Sequence, residues 1–189
     1  MQLKGISVDG NGAALPVPPA EPQVAVSVFL DFMCPFCQRF SLQHSATLVQ
    51  LCAEGHATLR VYPIAFLDRF SQGTEYSTRT AGAAYAVAAD SPGQFMAFEH
   101  ALFTHQPREG TEGLTDEEIA ALAAEAGVDP NARLTDPQFR ARALEVTRDA
   151  IDLGVQGTPT VLISSPKTGD ILWDGQTPIP AVVRQVAEA

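Results

Sequence analysis

Basic residues are scarce in this chain. Its 189 residues carry 12 lysines and arginines against 22 aspartates and glutamates, a formal charge of −10. A surface of that sign repels phosphate backbones and anionic lipid headgroups, so no nucleic acid is expected as a partner. Long apolar runs are missing as well. Val24 to Phe32 comes nearest, is interrupted by Ser27 and Asp31, and is far shorter than the roughly 18 residues that read as a membrane span. The first residues show no basic start followed by an apolar stretch, the pattern of a signal peptide. Cysteine is sparse too: Cys34, Cys37 and Cys52 are too few to staple a domain of this length. A zinc site needs four ligands. There is no second C-x-x-C and no H-x-x-x-H, and His44, His56, His100 and His105 are scattered. Neither a metal nor a bound cofactor is expected.

Hydrophobic residues make up 46%, ordinary for a globular protein, and the length suits one domain or one domain carrying an insertion. Residues 10–22, with Pro16, Pro18, Pro19, Pro22 and several alanines, read as a spacer. That favours a protein exported or anchored through a segment outside this sequence over a cytoplasmic one. A short extension packed on the domain accounts for the same composition.

Periodicity gives the order of elements. Gly5–Val8 reads as a short edge strand. In Val24–Phe32, Val24, Val26, Val28 and Leu30 share one face, and Phe29 shows that the other face is partly covered. From Cys34 to Glu54, Phe40, His44, Leu48, Leu51 and Cys52 recur at helical spacing, with Pro35 in the first turn where its missing N–H costs nothing. A strand over Ala57–Phe66 completes a βαβ unit. Four helices follow, over Ser77–Ala89, Gly93–His105, Thr115–Ala126 and Pro137–Leu153. Thr115 and Glu118 form a capping box, and Gly127 and Gly154 stop the helices they follow. Strands over Thr160–Ile163 and Ile171–Trp173 flank a turn at Ser164–Asp170. A closing helix, Ile179–Ala189, packs Val182, Val183 and Val186 on the sheet. The chain is therefore α/β: an extension over 1–22, a sheet domain over 23–67 and 154–189, and a helical insertion over 68–153.

The chemistry concentrates at Cys34-Pro35-Phe36-Cys37, where a strand ends and a helix starts. Unpaired amides and the positive end of the helix dipole lie at that junction. A thiolate at Cys34 is stabilised there, its pKa falling below the free value of about 8.5. The thiolate is the reactive form in disulfide exchange. Cys37, one turn on, lies on the same face and can close a disulfide. Cys34 is expected exposed at the helix tip as the attacker, and Cys37 as the resolving thiol. A structural disulfide and half of a zinc site are the bland alternatives. Cys52 lies about 22 Å further along the same helix, beyond disulfide reach of Cys37, and reads as a buried, inert thiol. Phe66, Phe70, Phe95, Phe98 and Phe103 read mostly as core, with one or two rimming a groove beside the cysteines.

Phe29-Leu-Asp-Phe-Met-Cys-Pro-Phe-Cys37 resembles the active site of the DsbA-like branch of the thioredoxin superfamily. Gly154-Val-Gln-Gly-Thr-Pro-Thr-Val161 resembles its second signature, and the helical insertion between the two matches as well. The resemblance runs from about Val24 to the C-terminus. It implies a thioredoxin-like fold, βαβ…ββα with a helical insertion, in which Pro159 is cis and faces the cysteines. Thr158 would then leave its backbone free for an extended peptide and its hydroxyl near the thiolate. It also implies an extracytoplasmic oxidase that introduces disulfides into cysteine-containing exported proteins and is reoxidised by a membrane quinone-linked partner. A disulfide reductase or isomerase of the same fold, and a peptide-binding or chaperone module with a structural disulfide, are the alternatives. Two departures bear on the potential. Many relatives carry a buried acid six residues before the first cysteine, where this chain has Val28; Asp31 either substitutes for it or ends the strand. Phe36 stands where strong oxidases often have a histidine, and cannot help a thiolate by charge.

Overall fold

The computed structural model describes residues 4–16 and 24–189. Its centre is a six-stranded sheet ordered β2-β1-β4-β3-β5-β6. β3 (Ala25–Leu30) and β4 (Thr58–Pro63) run parallel, joined by α1 (Pro35–Ala53). All other pairings are antiparallel. β5 (Thr160–Ser165) and β6 (Gly169–Leu172) form the far side of the sheet. Between β4 and β5 the chain makes four helices: α2 (Tyr76–Asp90), α3 (Phe95–Thr104), α4 (Asp116–Glu125) and α5 (Pro137–Asp152). α6 (Ile179–Glu188) closes the chain against β5.

β3 is covered on both faces: Val26 and Val28 on one and Phe29 on the other are all within 2% of full burial. That is why its sequence is a nearly continuous apolar run rather than an alternation. Phe29 stacks on Tyr62 of β4 at 4.5 Å between ring centres. α1 buries Cys37, Phe40, Ser41, Leu48 and Leu51, and α6 buries Ile179, Val183 and Val186, one stripe each. α2 is buried nearly all round because it forms the centre of the insertion. Its Gly82 lets α5 approach so closely that an added Cβ would meet Arg140 at 3.1 Å. α4 starts with the expected capping box, Thr115 Oγ1 accepting from Glu118 N at 3.2 Å and Glu118 Oε2 from Thr115 N at 2.7 Å.

Several expectations are corrected. β1 (Ile6–Val8) is no edge strand, because β2 (Ala14–Leu15) covers its outer side. The turn between them is built by Asp9, whose Oδ1 accepts from Asn11 N at 2.8 Å and Ala13 N at 2.9 Å. Residues 10–15 thus pack on the domain instead of standing off it as a spacer; Pro18, Pro19 and Pro22 lie outside the described residues. β4 stops at Pro63, so Ala65 and Phe66 leave the sheet. The β5–β6 turn is tighter than Ser164–Asp170, since Ser165 still pairs with Gly169. α3 begins two residues later than Gly93, after a 3₁₀ turn over Pro92–Gln94. Among the described residues no helix is long and apolar enough to cross a membrane.

Candidate active site

Cys34 is the residue before α1, with extended backbone (φ −79°, ψ 118°), and no side chain caps that helix. Its own amide closes a turn onto Asp31 O at 3.0 Å, and Gln38 N donates to Cys34 O at 3.1 Å as the helix begins. The uncapped first-turn amides are left for the sulfur. The second signature comes in from 124 residues away: Cys34 Sγ lies 3.3 Å from Thr158 O, and the Thr158–Pro159 bond is cis. Both cysteines are free thiols.

Their environments drive the two thiols apart. The Cys34 pKa is lowered to about 6, chiefly by hydrogen bonding from the Cys37 thiol, with the Thr158 side chain and the amides of Cys37 and Phe36 adding to it against the effect of burial. Cys37 is pushed well above the ordinary thiol value, first by burial and then by the charge and hydrogen bonding of Cys34. A pair split this way can hold one sulfur as an anion while the other keeps its proton. Cys34 is not exposed at the helix tip as expected. Only 4% of it is accessible, because it lies at the floor of a groove of about 780 Å³. Phe36, Phe66, Leu67, Ile151 and Val155 line the groove together with Arg69. Phe36 is 60% exposed at its rim, with the Arg39 guanidinium 4.6 Å from its ring centre.

Asp31 is both a strand end and a buried acid. Fully enclosed, its carboxylate accepts from Met33 N (2.8 Å), Ser77 Oγ (2.7 Å) and Leu67 N (2.9 Å). Its amide points at Cys37 Sγ, 3.4 Å away. Burial raises its pKa to about 6 in spite of those three donors, and the negative charge of Cys34 raises it further. Cys52 is half-buried on α1, its thiol pKa raised by burial. Of the phenylalanines, Phe95, Phe98 and Phe103 are core, while Phe66 reaches the groove and Phe70 is 40% exposed.

Three polar residues around the site had no signal in the sequence. Ser77 reaches Asp31 from α2. Gln106, just beyond α3, donates to Phe32 O and Cys34 O. Glu99 of α3 is buried against Ser41, one turn beyond Cys37, at 2.8 Å. Such residues announce themselves by neither spacing nor type, since only the docking of the insertion brings them to the site.

This fold and this pair define a DsbA-like protein of the thioredoxin superfamily, with the thiol–disulfide oxidoreductase fold. The chain belongs to the family whose model is described as thioredoxin, which matches residues 19–174. Among solved structures, the oxidised form of DsbA from Mycobacterium tuberculosis is similar over 98% of this chain and 94% of its own, with 27% identity and a TM-score of 0.77. The reduced disulfide bond oxidoreductase DsbG of Mycobacterium tuberculosis is similar over 98% of this chain and 86% of its own, with 28% identity and a TM-score of 0.75. BdbD from Bacillus subtilis shares the fold, at 18% identity and a TM-score of 0.77 over 98% and 94% of the two chains. Among curated proteins, the serine/threonine-protein kinase PknE of Mycobacterium tuberculosis is 28% identical over 160 residues, 79% of this chain. The chain spans 26% of the length of that relative.

Proposed function

We propose that this protein is an extracytoplasmic disulfide oxidase whose redox group is the Cys34–Cys37 disulfide itself, with no bound cofactor. A substrate thiolate attacks Cys34 Sγ of the disulfide, and Cys37 is expelled as a thiolate that takes up a proton from solvent. A second substrate thiolate then attacks the substrate sulfur of the mixed disulfide and expels Cys34 as a thiolate. Two electrons pass to the enzyme, and the substrate gains one disulfide. Reoxidation by a membrane quinone-linked partner closes the cycle.

The observation that carries this reading is the placing of Cys34 at the uncapped start of α1, 3.3 Å from Thr158 O beside the cis Pro159 and on the groove, which favours its anion, next to a buried Cys37 whose pKa is raised. At pH 7 the anion is then the main form of Cys34. Stabilising the reduced form in this way makes the disulfide more oxidising, as in strong oxidases. The groove above Cys34 and the exposed residues Gln156 and Gly157 beside it suit an extended cysteine-containing polypeptide. Equilibration of the protein in glutathione buffers of defined ratio tests the direction. A potential toward that of DsbA, about −120 mV, is expected; one near about −270 mV would mark a reductase. No exchange at all would leave a peptide-binding module with a structural disulfide. An isomerase of the same fold is the alternative within this enzyme class. It is distinguished by reshuffling of scrambled substrate without net gain of disulfides.

A further inference from the structure

Gln106 takes no part in the exchange steps, yet both hydrogens of its side-chain amide are committed to the redox turn. Nε2 donates to Phe32 O at 2.9 Å and to Cys34 O at 3.0 Å. Only an NH₂ group can serve two carbonyls in this way, so its orientation is fixed by its partners. The two acceptors bracket Met33 inside the turn closed by Cys34 N on Asp31 O.

Each acceptor links to the chemistry. The Phe32 carbonyl belongs to the same peptide group as the Met33 amide, which donates to Asp31 Oδ1 at 2.8 Å. That peptide is therefore hydrogen-bonded at both ends, in a chain running Gln106 to Phe32–Met33 to Asp31, where each bond polarises the next. The Cys34 carbonyl already accepts from Gln38 N at 3.1 Å and takes Gln106 as a second donor. Gln38 returns the tie, its Nε2 donating to Phe103 O at the end of α3 at 2.6 Å. The start of α1 and the end of α3 are thus cross-bonded in both directions. The positive end of the Gln106 amide dipole faces the residue that carries the sulfur, on the same side of the account as the helix dipole.

We propose that Gln106 is a positioning residue for the thiol: it holds the turn so that the amides of Phe36 and Cys37 face the Cys34 sulfur, and it favours the anion electrostatically. The inference rests on the reading of Cys34 as the exchanging thiol. It also gives the helical insertion a part in the redox chemistry, since Gln106 belongs to the insertion and Cys34 to the sheet domain.

The test is the pH profile of Cys34 alkylation by iodoacetamide in the reduced full chain, read by mass spectrometry. Gln106→Met keeps the length and removes the donors; Gln106→Glu leaves at most one donor, the O–H of the protonated carboxyl, for the two carbonyls. At pH 5, below the wild-type midpoint, the rate should fall about 3-fold in Gln106→Met and less than that in Gln106→Glu, whose carboxyl, facing two carbonyl oxygens, is protonated there. At pH 9, where the thiol is ionised in all three, the rates should agree. A pH 5 to pH 9 rate ratio in Gln106→Met equal to wild type overturns the proposal. Equal losses at both pH values overturn it too, because they report access rather than ionisation. If Gln106→Glu does not fold, Gln106→Met decides alone. A wild-type midpoint at the ordinary thiol value would instead count against the oxidoreductase reading, independently of Gln106.

Discussion

Glu99 offers a sharp quantitative test of how the insertion docks on the sheet domain. Its carboxyl is 2% exposed, accepts from Ser41 Oγ at 2.8 Å, and leaves Oε2 with no hydrogen-bond partner among the described residues. Burial raises its pKa from 4.5 to about 7. In the unfolded chain the group loses its proton near pH 4.5, whereas the folded chain keeps it until pH 7. Between those values the folded state binds more protons, so stability falls as pH rises, by about 1.4 kcal/mol per unit of separation. From pH 5 to pH 8 the loss due to this one residue is roughly 2–3 kcal/mol. Gln in its place does not titrate. The amide brings its own cost, an NH₂ group where Oε2 had no partner, but that cost is the same at both pH values. The measurement is therefore a double difference: urea unfolding of the reduced wild type and of Glu99→Gln, followed by far-ultraviolet circular dichroism at pH 5 and pH 8. Relative to wild type, the variant should gain roughly 2–3 kcal/mol between the two pH values. An equal stability difference at pH 5 and pH 8 would refute the reasoning, because Glu99 would then titrate as a solvated carboxyl.

Asp31→Ala removes the acceptor of two main-chain amides and of Ser77, at about 1–3 kcal/mol per buried donor left unpaired. Chemical denaturation should show a smaller loss at pH 8 than at pH 4: between pH 3.8 and about 6 the folded wild type binds more protons at Asp31 than the unfolded chain, so this part of its stability is gone by pH 8. Ile151→Ser, on an exposed side chain at the groove wall, should slow oxidation of a reduced unfolded protein several-fold. Its rate with glutathione should not change, and equal losses with both substrates would show that the groove does not bind the polypeptide. Cys52, its pKa raised by burial, should react with iodoacetamide at pH 7 at least tenfold more slowly than Cys34, as resolved by peptide mass spectrometry.

Much of this architecture is written locally. The continuous apolar run of β3, the Pro35 start of α1, the capping box at Thr115 and the stripe Ile179, Val183, Val186 each encode an element through its own periodicity or cap. What stayed hidden depends on pieces that are too short or too distant. β1 and β2 have three and two residues, too few for a period, although Asp9-Gly10-Asn11-Gly12 carries turn chemistry. The cysteine pair was legible because its motif coincides with a strand–helix junction. Its recess was not, since the groove walls come from Phe66, Leu67 and Ile151, brought together only by the packing of α5 against β4. Asp31 shows the same division: its place at the strand end follows from the sequence, but its burial requires Leu67 and Ser77 to close over it.

The contact between Cys34 and Thr158 has a consequence for biosynthesis. A polypeptide emerges from the ribosome N-terminus first, so β3, α1 and β4 are made well before the segment that supplies Thr158, Pro159 and the β5 partner of β3. Until that segment has been synthesised, Cys34 lacks its facing loop. The nascent chain thus carries Cys34 without the Thr158 contribution to its lowered pKa, which arrives only with completion of the sheet.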